Sequence, residues 1–406
     1  MKVLQINATY ANGSTGTIVQ DIQQCCEEHG IECHVAYAMS RLPKEQIKNG
    51  YKIGNVLSNK LHAAFSRLCG QQGYFSYLPT LAFLNYISRL KPDVVHLHNL
   101  HSNYINLNML LGYIAKHDIP TIVTLHDCWF YTGGCFHYTN AGCSKWQHGC
   151  GNCPKKKQDT PAYLCDKSAN ILRDRYHYFS KIKHLTVVGV SKWITEECQK
   201  SVFKGVTCHT IYNGVDTDVF KPTPSNMRER YGLVGKFVIL GPASKWLSKV
   251  NEEVLRTVTT GLGRDSVLVL FGHTEENASL PPNVITIGYT SSKEELAQIY
   301  SMANVFVNCT REESLSCINL EAQACGTPVI TFSNTGVSET IIDGYGMRVS
   351  TGDANAMLNA IIRLKSEKCV NNSDLVVRIR KEFDFSVVYN EYVSLYRYLI
   401  ELNDSH

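Results

Sequence analysis

Two glutamates, Glu313 and Glu321, stand eight positions apart in a segment with the pattern of a strand, a loop and a helix. Carboxylates just before and within a helix can accept hydrogen bonds from hydroxyl groups, which suits the recognition of sugar and ribose. The predicted helix, residues 315–324 with Ser314 or Ser316 as its cap, also begins with unpaired amides that suit a diphosphate. Taken alone, the pair equally fits a surface helix with two solvated carboxylates.

His126 and Asp127 form a second candidate, in the segment VTLHDCWF. The predicted strand 121–124 delivers both side chains to its carboxyl end, where ligands bind in parallel sheets. A lone histidine at a strand end is more often structural. Further histidines in HLHNLH, residues 96–101, can line the same site or be structural.

A glycine-containing turn follows the first predicted strand, in TYANGSTGTIV. Gly13 and Gly16 are expected to form a tight turn before a helix over residues 17–29. Such a turn can bring the backbone close to a phosphate or a sugar. Glycine-rich turns after a first strand are common, so this signal is weak by itself.

A cysteine cluster occupies GGCFHYTNAGCSKWQHGCGNCP. Glycine and proline surround it, and little in the segment favours a core of its own. Four thiolates with a Cys-x2-Cys pair suit a tetrahedral structural zinc, and an iron–sulfur cluster uses the same ligand set. Reduced thiols without metal are the alternative. The predicted ligands are Cys135, Cys143, Cys150 and Cys153, with His137 and His148 as substitutes.

The elements that must position these residues alternate between short β-branched runs and amphipathic segments. This rhythm predicts an α/β fold with parallel sheets covered by helices. It restarts after a connection rich in turn formers, residues 211–225. We therefore predict two facing Rossmann-like domains with a ligand cleft between them. The predicted parts are an acceptor domain 1–210 with the Cys-rich insertion 128–157, a nucleotide-sugar domain 211–385, and a C-terminal helix 386–406 that crosses back to the first domain.

The segment EESLSCINLEAQACGTPVI resembles the E-x7-E signature of glycosyltransferase family 4, with Glu313 and Glu321 at its two glutamate positions. IYNGVDTDVFKP, VVGVSKWI and TGVSETI resemble further stretches of that family. Some bacterial relatives, of the surface-polysaccharide subgroup, carry a similar HDCW…TGGC…GCGNCP insertion. The resemblance covers almost the whole chain and implies the GT-B fold, a UDP- or GDP-linked sugar donor and transfer with retention of anomeric configuration.

The resemblance also implies roles for individual residues. Glu321 would hold the donor ribose and Glu313 the transferred sugar. Gly16 would contact the donor from the N-terminal side, and His126 with Asp127 would lie near the acceptor and the donor sugar-phosphate. A common proposal for the family is front-face attack in which the leaving phosphate takes the acceptor proton. The amides facing the diphosphate would be those of Leu315, Ser316 and Cys317.

The sequence departs from the family pattern at two places. SLS replaces the usual glycine-containing GFG, which restricts the backbone. The basic pair of the pattern GRxxxxKG has no direct match in ILGPASKWLSKVNEEVL, where either Lys245 or Lys249 can serve and Lys249 is favoured. Solvated lysines beside a weakened site are the alternative reading.

The composition and charge of the chain limit the classes of partner that it is expected to bind. Hydrophobic residues make up 44% and charged residues 19%, and the net charge of +4 divides into +9 over residues 1–205 and −5 over the remainder. A basic first half suits an anionic membrane surface or a lipid diphosphate, and we find no nucleic-acid-binding motif. Residues 57–90 mix aromatic and basic residues and fit either a membrane surface or ordinary helix packing. No membrane span or signal peptide is recognised, so a cytoplasmic location is expected, including the cytoplasmic face of the membrane.

The favoured function is therefore a retaining glycosyltransferase of hexosyltransferase type that acts on a lipid-linked saccharide in surface polysaccharide assembly. No divalent-metal pattern of the DxD kind is found, so no cofactor is expected for catalysis, and zinc would be structural only. The alternatives are a nucleotide-sugar 2-epimerase on the same fold and a non-catalytic partner protein that has lost the diphosphate clamp.

Overall fold

The computed structural model describes residues 1–273, 280–367 and 372–404. The chain divides into two compact units. Unit 1 comprises Met1–Tyr212 and the residues from Val388 onward, and unit 2 comprises Asn213–Val387. The domains predicted from the sequence end at residues 210 and 385. Residues 274–279, 368–371 and 405–406 of the predicted segments lie outside the described residues.

Unit 1 is built on one parallel sheet of seven strands in the order β3-β2-β1-β4-β5-β6-β7. Its strands are β1 (Lys2–Tyr10), β2 (Glu32–Ser40), β3 (Gly50–Lys52), β4 (Val94–Leu97), β5 (Thr121–Leu125), β6 (Leu185–Gly189) and β7 (Thr207–Thr210). Its helices are α1 (Gly13–Glu28), α2 (Val56–Cys69), α3 (Tyr77–Leu90), α4 (Leu107–Lys116), α5 (Ser168–Phe179) and α6 (Lys192–Cys198).

Unit 2 is built on one parallel sheet of six strands in the order β10-β9-β8-β11-β12-β13. Its strands are β8 (Phe237–Pro242), β9 (Ser266–Phe271), β10 (Val284–Ile287), β11 (Val305–Asn308), β12 (Val329–Phe332) and β13 (Met347–Val349). Its helices are α7 (Met227–Arg230), α8 (Ala243–Trp246), α9 (Glu252–Gly261), α10 (Lys293–Ser301), α11 (Cys317–Ala324), α12 (Ala354–Ser366) and α13 (Asn372–Phe383). The last helix, α14 (Phe385–Asp404), begins in unit 2 and belongs to unit 1 from Val388 onward.

The central strands of each sheet are buried apolar runs because helices cover both faces. All residues of β5, β6, β11 and β12 are buried. In each sheet the winding reverses once, between β1 and β4 in unit 1 and between β8 and β11 in unit 2. Ligands of open α/β sheets bind at the carboxyl ends of strands beside such a reversal. The loops that follow β1, β4, β5, β8 and β11 are therefore where a site is expected.

The two ends of unit 2 are bound together by the glycine-containing connection. The Val215 amide donates to the Phe383 carbonyl at 2.8 Å, and the Phe385 amide donates to the Val215 carbonyl at 3.0 Å. A Cβ atom on Gly214 would lie 2.4 Å from the Cα of Phe385. This close backbone approach requires glycine at position 214.

Candidate active site

The loop after β1 turns sharply into α1. Ala11 and Gly13 have positive φ angles of 51° and 67°, and α1 begins at Gly13, so the predicted helix start at residue 17 is wrong. Gly16 lies within the first turn of α1, where a Cβ atom would come within 2.9 Å of Thr9 Oγ1. The boundary was missed because the polar first turn of α1 has no apolar periodicity. The packing of α1 against the end of β1 explains the glycine at position 16.

His126 and Asp127 directly follow β5, and both are half-buried. Asp127 Oδ2 accepts from His101 Nε2 at 3.0 Å, and its Oδ1 accepts from the Trp129 amide at 2.8 Å. Burial opposes ionisation of Asp127, but the facing His101 and the Trp129 amide hold the pKa of this carboxyl below its ordinary value. Burial lowers the pKa of His126 to about 4. The loop thus presents a carboxylate beside a neutral imidazole.

The three histidines of HLHNLH occupy three different environments. His96 is fully buried between the hydroxyls of Tyr396 and Thr124, at 2.6 and 2.7 Å, and is structural. His98 is also fully buried, and its Nδ1 lies 3.0 Å from His126 Nε2. His101 is partly accessible and pairs with Asp127. The expectation that this segment lines the site holds for His101 directly and for His98 through His126.

A buried polar network holds the loop after β11 in unit 2. Asn308, the last residue of β11, donates from Nδ2 to Ser316 Oγ and to Asn319 Oδ1, each at 2.9 Å. Its Oδ1 accepts from the Thr310 amide at 3.0 Å. Asn319 donates in turn to Thr340 Oγ1 at 2.9 Å. Satisfied buried networks of this kind are rigid, so the backbone of the loop is held in place without the glycines of the usual family pattern.

Helix α11 begins at Cys317, two residues later than predicted. Ser316 is its N-terminal boundary residue, but its side chain makes no capping bond because the hydroxyl is engaged with Asn308. Ser314 does not cap it either: its hydroxyl is buried and has no hydrogen-bond partner among the described residues. The predicted cap is therefore wrong, and the first amides of α11 are not covered by either serine side chain.

The two glutamates of unit 2 differ in their surroundings. Glu321, on α11, accepts a hydrogen bond from the buried Tyr300 hydroxyl at 2.9 Å. Glu313 lies in the loop, and its buried Oε2 has no hydrogen-bond partner among the described residues. Burial raises the pKa of both carboxyls; Lys245 and the Ser316 side chain oppose the shift at Glu313, as Tyr300 does at Glu321. Unsatisfied buried carboxylate oxygen is costly, so this atom is a strong candidate for a ligand contact.

The basic groups near Glu313 come from two loops of unit 2. Lys245 lies on α8 and is half-buried, whereas Lys249 is exposed on the turn Lys249–Asn251. Trp246 anchors α8 by donating from Nε1 to the Val307 carbonyl at 3.0 Å. Arg311 follows β11 and donates to Asn251 Oδ1 at 2.9 Å. The geometry therefore favours Lys245 over Lys249, and it adds Arg311 as a second cation on the same side of the sheet.

The Cys-rich insertion is ordered by aromatic packing, contrary to the expectation that it lacks a core. The Trp146 ring lies 5.2 Å from that of Tyr131 and 4.8 Å from that of Tyr138. The buried Arg175 guanidinium stacks on Trp129 at 4.0 Å and donates to the carbonyls of Trp129 and Thr132. The buried side chains of Trp129, Tyr131 and Trp146 therefore give the segment a core.

The four predicted metal ligands do not form a metal site in the structure. Among the described residues, no three or more His, Cys, Asp and Glu side chains are arranged to hold a metal ion. The thiols of Cys135, Cys143, Cys150 and Cys153 are free. The prediction of a structural zinc is therefore unsupported, as is the iron–sulfur alternative.

The two units together have the architecture of known GT-B proteins. A sucrose-phosphate synthase from Thermosynechococcus elongatus superposes with a TM-score of 0.69 at 16% identity, over 99% of each chain. HepE of Anabaena, solved with UDP-glucose, superposes with a TM-score of 0.64 at 15% identity, over 100% of each chain. The predicted fold class is thereby confirmed as GT-B.

Sequence comparisons narrow the class. Residues 15–219 match Glycosyltransferase Family 4, and residues 233–367 match Glycosyl transferases group 1. The chain belongs to glycosyltransferase family 4, whose members are retaining hexosyltransferases that use nucleotide-sugar donors and typically need no metal ion. It is 24% identical to the putative colanic acid biosynthesis glycosyl transferase WcaC of Escherichia coli K12, over 86% of this chain and 87% of WcaC. It is 26% identical to the capsular polysaccharide biosynthesis glycosyltransferase CapM of Staphylococcus aureus, over 45% of this chain and 52% of CapM.

The sequence analysis did not identify several residues that contact or position the candidate site residues. These are Gln5 in unit 1, and Tyr300, Asn308 and Arg311 in unit 2. Polar residues inside otherwise apolar strands were the available signal for Gln5 and Asn308, because buried polar side chains need partners. Tyr300 gave no such signal, since its contact with Glu321 depends on how α10 and α11 pack.

Proposed function

We propose that this protein transfers a sugar from a UDP- or GDP-linked donor to a lipid-linked saccharide, with retention of configuration, during assembly of a bacterial surface polysaccharide. The names of WcaC and CapM support the polysaccharide setting. The single observation that carries the catalytic assignment is the unpartnered Oε2 of Glu313, held beside Lys245 at the carboxyl end of β11.

Each residue near Glu313 has a distinct proposed task. Glu313 accepts hydrogen bonds from hydroxyls of the transferred sugar, and Glu321, oriented by Tyr300, accepts from the donor ribose. Lys245 stabilises the charge that develops on the leaving diphosphate, together with backbone amides of the loop. Those amides belong to Leu315, Ser316 and Cys317.

Unit 1 supplies the remaining proposed contacts. His126 and Asp127 follow β5 and face the saccharide groups, and the turn at Gly16 brings backbone toward the donor. No residue of this set is proposed as a covalent nucleophile. Catalysis then rests on positioning the reactants and stabilising the leaving group, which together supply most of the acceleration in such reactions.

A panel of UDP-, GDP- and ADP-linked sugars tests the proposal. A donor at 100 times its dissociation constant stabilises the protein by about 2.7 kcal/mol, so the correct one raises Tm. Turnover is then followed as nucleotide release, with polyprenyl-diphosphate saccharides as acceptors. Conversion of UDP-GlcNAc without any acceptor would identify an epimerase instead. Donor binding with no turnover on any acceptor would identify a non-catalytic partner protein.

Exposed apolar residues on α2 and α3 support a peripheral contact with a membrane. Ordinary helix packing does not account for them, because their exposed fractions are 46% to 79%. No acidic residue stands between Glu45 and Asp93, whereas Lys60 and Arg67 lie on α2. A basic apolar surface suits anionic lipid. The exposed residues are Val56, Leu57, Leu61, Phe65, Leu68, Tyr77, Leu78 and Leu81.

No helix among the described residues is long and apolar enough to span a bilayer. The proposed contact is therefore with the surface, at the cytoplasmic face where lipid-linked acceptors are assembled. Co-sedimentation with phosphatidylglycerol vesicles tests it. Leu57→Gln with Leu61→Gln should reduce binding several-fold, whereas the exposed Ile362→Gln with Val377→Gln in unit 2 should not. Equal binding of both double variants would contradict the proposal.

A further inference from the structure

Three hydrogen-bonded side chains lead from the interior of unit 1 to the candidate site. Gln5 comes from β1, His98 follows β4 and His126 follows β5. Gln5 Oε1 lies 3.0 Å from His98 Nε2, and His98 Nδ1 lies 3.0 Å from His126 Nε2. Gln5 and His98 are fully buried, whereas His126 is half-buried. The row therefore has a closed end and an accessible end.

The orientation of the Gln5 amide is set at the closed end. Its Nε2 donates to the Val19 carbonyl at 3.1 Å and lies 3.3 Å from Cys33 Sγ. The backbone carbonyl oxygen of Val19 can only accept a hydrogen bond. The end of the Gln5 side-chain amide that faces Val19 must therefore be its NH2 group. Oε1 consequently faces His98, and because it has no proton to give, His98 Nε2 must carry one.

The proton on His98 determines the state of the next ring. Burial, with the neighbouring histidines, holds the pKa of His98 well below its ordinary value, so the ring is neutral and has one N–H group. With that proton on Nε2, His98 Nδ1 is an acceptor. The facing His126 Nε2 must then be the donor. In a neutral ring, His126 Nδ1 therefore carries no proton.

His126 Nδ1 is the accessible end of the row. Among the described residues it has no hydrogen-bond partner, since the bond to His98 is made through Nε2. We propose that Gln5 and His98 are positioning residues that fix His126 in the Nε2–H tautomer, so that Nδ1 accepts a hydrogen bond from a hydroxyl of the bound saccharide. The identity of that ligand rests on the proposed function.

His96 provides an internal contrast on the same strand. It is as buried as His98, but its partners are the hydroxyls of Tyr396 and Thr124, each of which can donate or accept. Its tautomer is therefore not dictated by its surroundings. Of these two histidines, His98 alone faces an amide oxygen that defines its proton position.

The test observes the proton position directly. Protein labelled with 15N-histidine is examined at pH 7.5 by long-range 15N–1H correlation, and the His126 signals are assigned by their loss in His126→Gln. We expect the wild type to show a protonated Nε2 and an unprotonated Nδ1. In Gln5→Leu, His98 loses its acceptor and the His126 tautomer shifts toward Nδ1–H, with kcat reduced about 10-fold and the donor KM within twofold.

Matched variants separate this role from a structural one. Gln23 is another buried glutamine of unit 1 with three hydrogen bonds, to Tyr10, Cys33 and Lys48. Gln23→Leu should lower Tm about as much as Gln5→Leu and leave the His126 tautomer and kcat unchanged. His98→Leu should lose the tautomer preference, and His98→Asn, whose Oδ1 replaces Nδ1 as acceptor, should restore most of it.

Two results would overturn the inference: a wild-type His126 with its proton on Nδ1, or a Gln5→Leu variant with unchanged tautomer and kcat. A wild type that shows the expected tautomer but transfers no sugar from any nucleotide sugar would overturn the proposed function. That result would remove the saccharide ligand assigned to Nδ1, whereas the tautomer measurement would stand on its own.

Discussion

The candidate site residues of the two units are held in opposite ways. In unit 1, Asp127 is bonded to His101 and to a backbone amide, and His126 is bonded to His98. In unit 2, the buried Oε2 of Glu313 has no partner among the described residues, and neither do the hydroxyls of Thr310 and Ser314. The two site side chains of unit 1 are therefore held by hydrogen bonds within the protein, although in the described part of the chain His126 Nδ1 lacks a partner, whereas in unit 2 a buried carboxylate oxygen lacks one.

This difference indicates that the two units contribute to the candidate site in different ways. A bonded imidazole keeps its position and proton whether or not a ligand is bound, so unit 1 contributes a fixed orientation. A buried carboxylate oxygen without a hydrogen bond lowers stability, and a ligand hydroxyl can supply the missing bond. On the proposed function, donor binding would relieve this stability cost in unit 2, a pattern common at functional sites.

The largest expected effect is that of Glu313→Gln. The neutral amide offers one acceptor oxygen in place of a charged carboxylate with two, so kcat/KM for transfer should fall about 100- to 1000-fold, roughly 3 to 4 kcal/mol. Stability should be equal or higher, because a buried charge is removed. Nucleotide release assays and urea titrations measure the two quantities. A large loss of stability would show that Glu313 is a structural residue.

The next effect is a pH dependence with opposite signs in the two units. The pKa of His126 is lowered to about 4 from 6.5, so the unfolded chain binds a proton first as pH falls. Stability should therefore decrease between pH 6.5 and 4, by up to about 3 kcal/mol from this residue. The pKa values of Glu313 and Glu321 are raised, so these groups favour the folded state as pH falls.

Urea titrations at pH 7, 6 and 5 measure this dependence. His126→Gln should make the loss of unfolding free energy toward pH 5 smaller than in the wild type. Glu313→Gln should make it larger, because an opposing contribution is removed. Identical slopes in all three proteins would contradict the contrast between the units.

Lys245→Ala should have the third largest effect. A charge-assisted contact contributes about 1.5 to 3 kcal/mol, so kcat should fall roughly 10- to 100-fold. Lys249→Ala, a change of the same type at the exposed lysine, should stay within twofold. Steady-state kinetics with the donor found by the panel provides the comparison. The reverse ranking would restore the assignment that the sequence favoured.

Tyr300→Phe is expected to have the smallest effect. It removes one hydrogen bond to Glu321, worth about 1 kcal/mol. The donor dissociation constant, measured by calorimetry, should rise roughly fivefold while kcat changes little. A loss confined to kcat would instead place Glu321 at the reacting centre.

Much of the architecture was predictable because long apolar runs and their alternation with helical segments are local properties. The strand predicted over residues 121–124 is β5, Thr121–Leu125. Helix starts were less accurate at α1 and α11, where polar first turns lack periodicity. The structural zinc predicted in the insertion is unsupported, and the cysteine spacing there did not reveal the packing of Tyr131, Tyr138 and Trp146.

The sequence by itself determined the family and the GT-B fold, since strand patterns and signature stretches are written in consecutive residues. It also identified Glu313, Glu321, His126 and Asp127 as candidates. Only the tertiary structure showed that Lys245 acts on the Glu313 carboxyl, that Glu321 is bonded to Tyr300 and which histidines are structural. Those outcomes depend on side chains from different strands that meet at one sheet edge, and burial there sets their proton positions and charges.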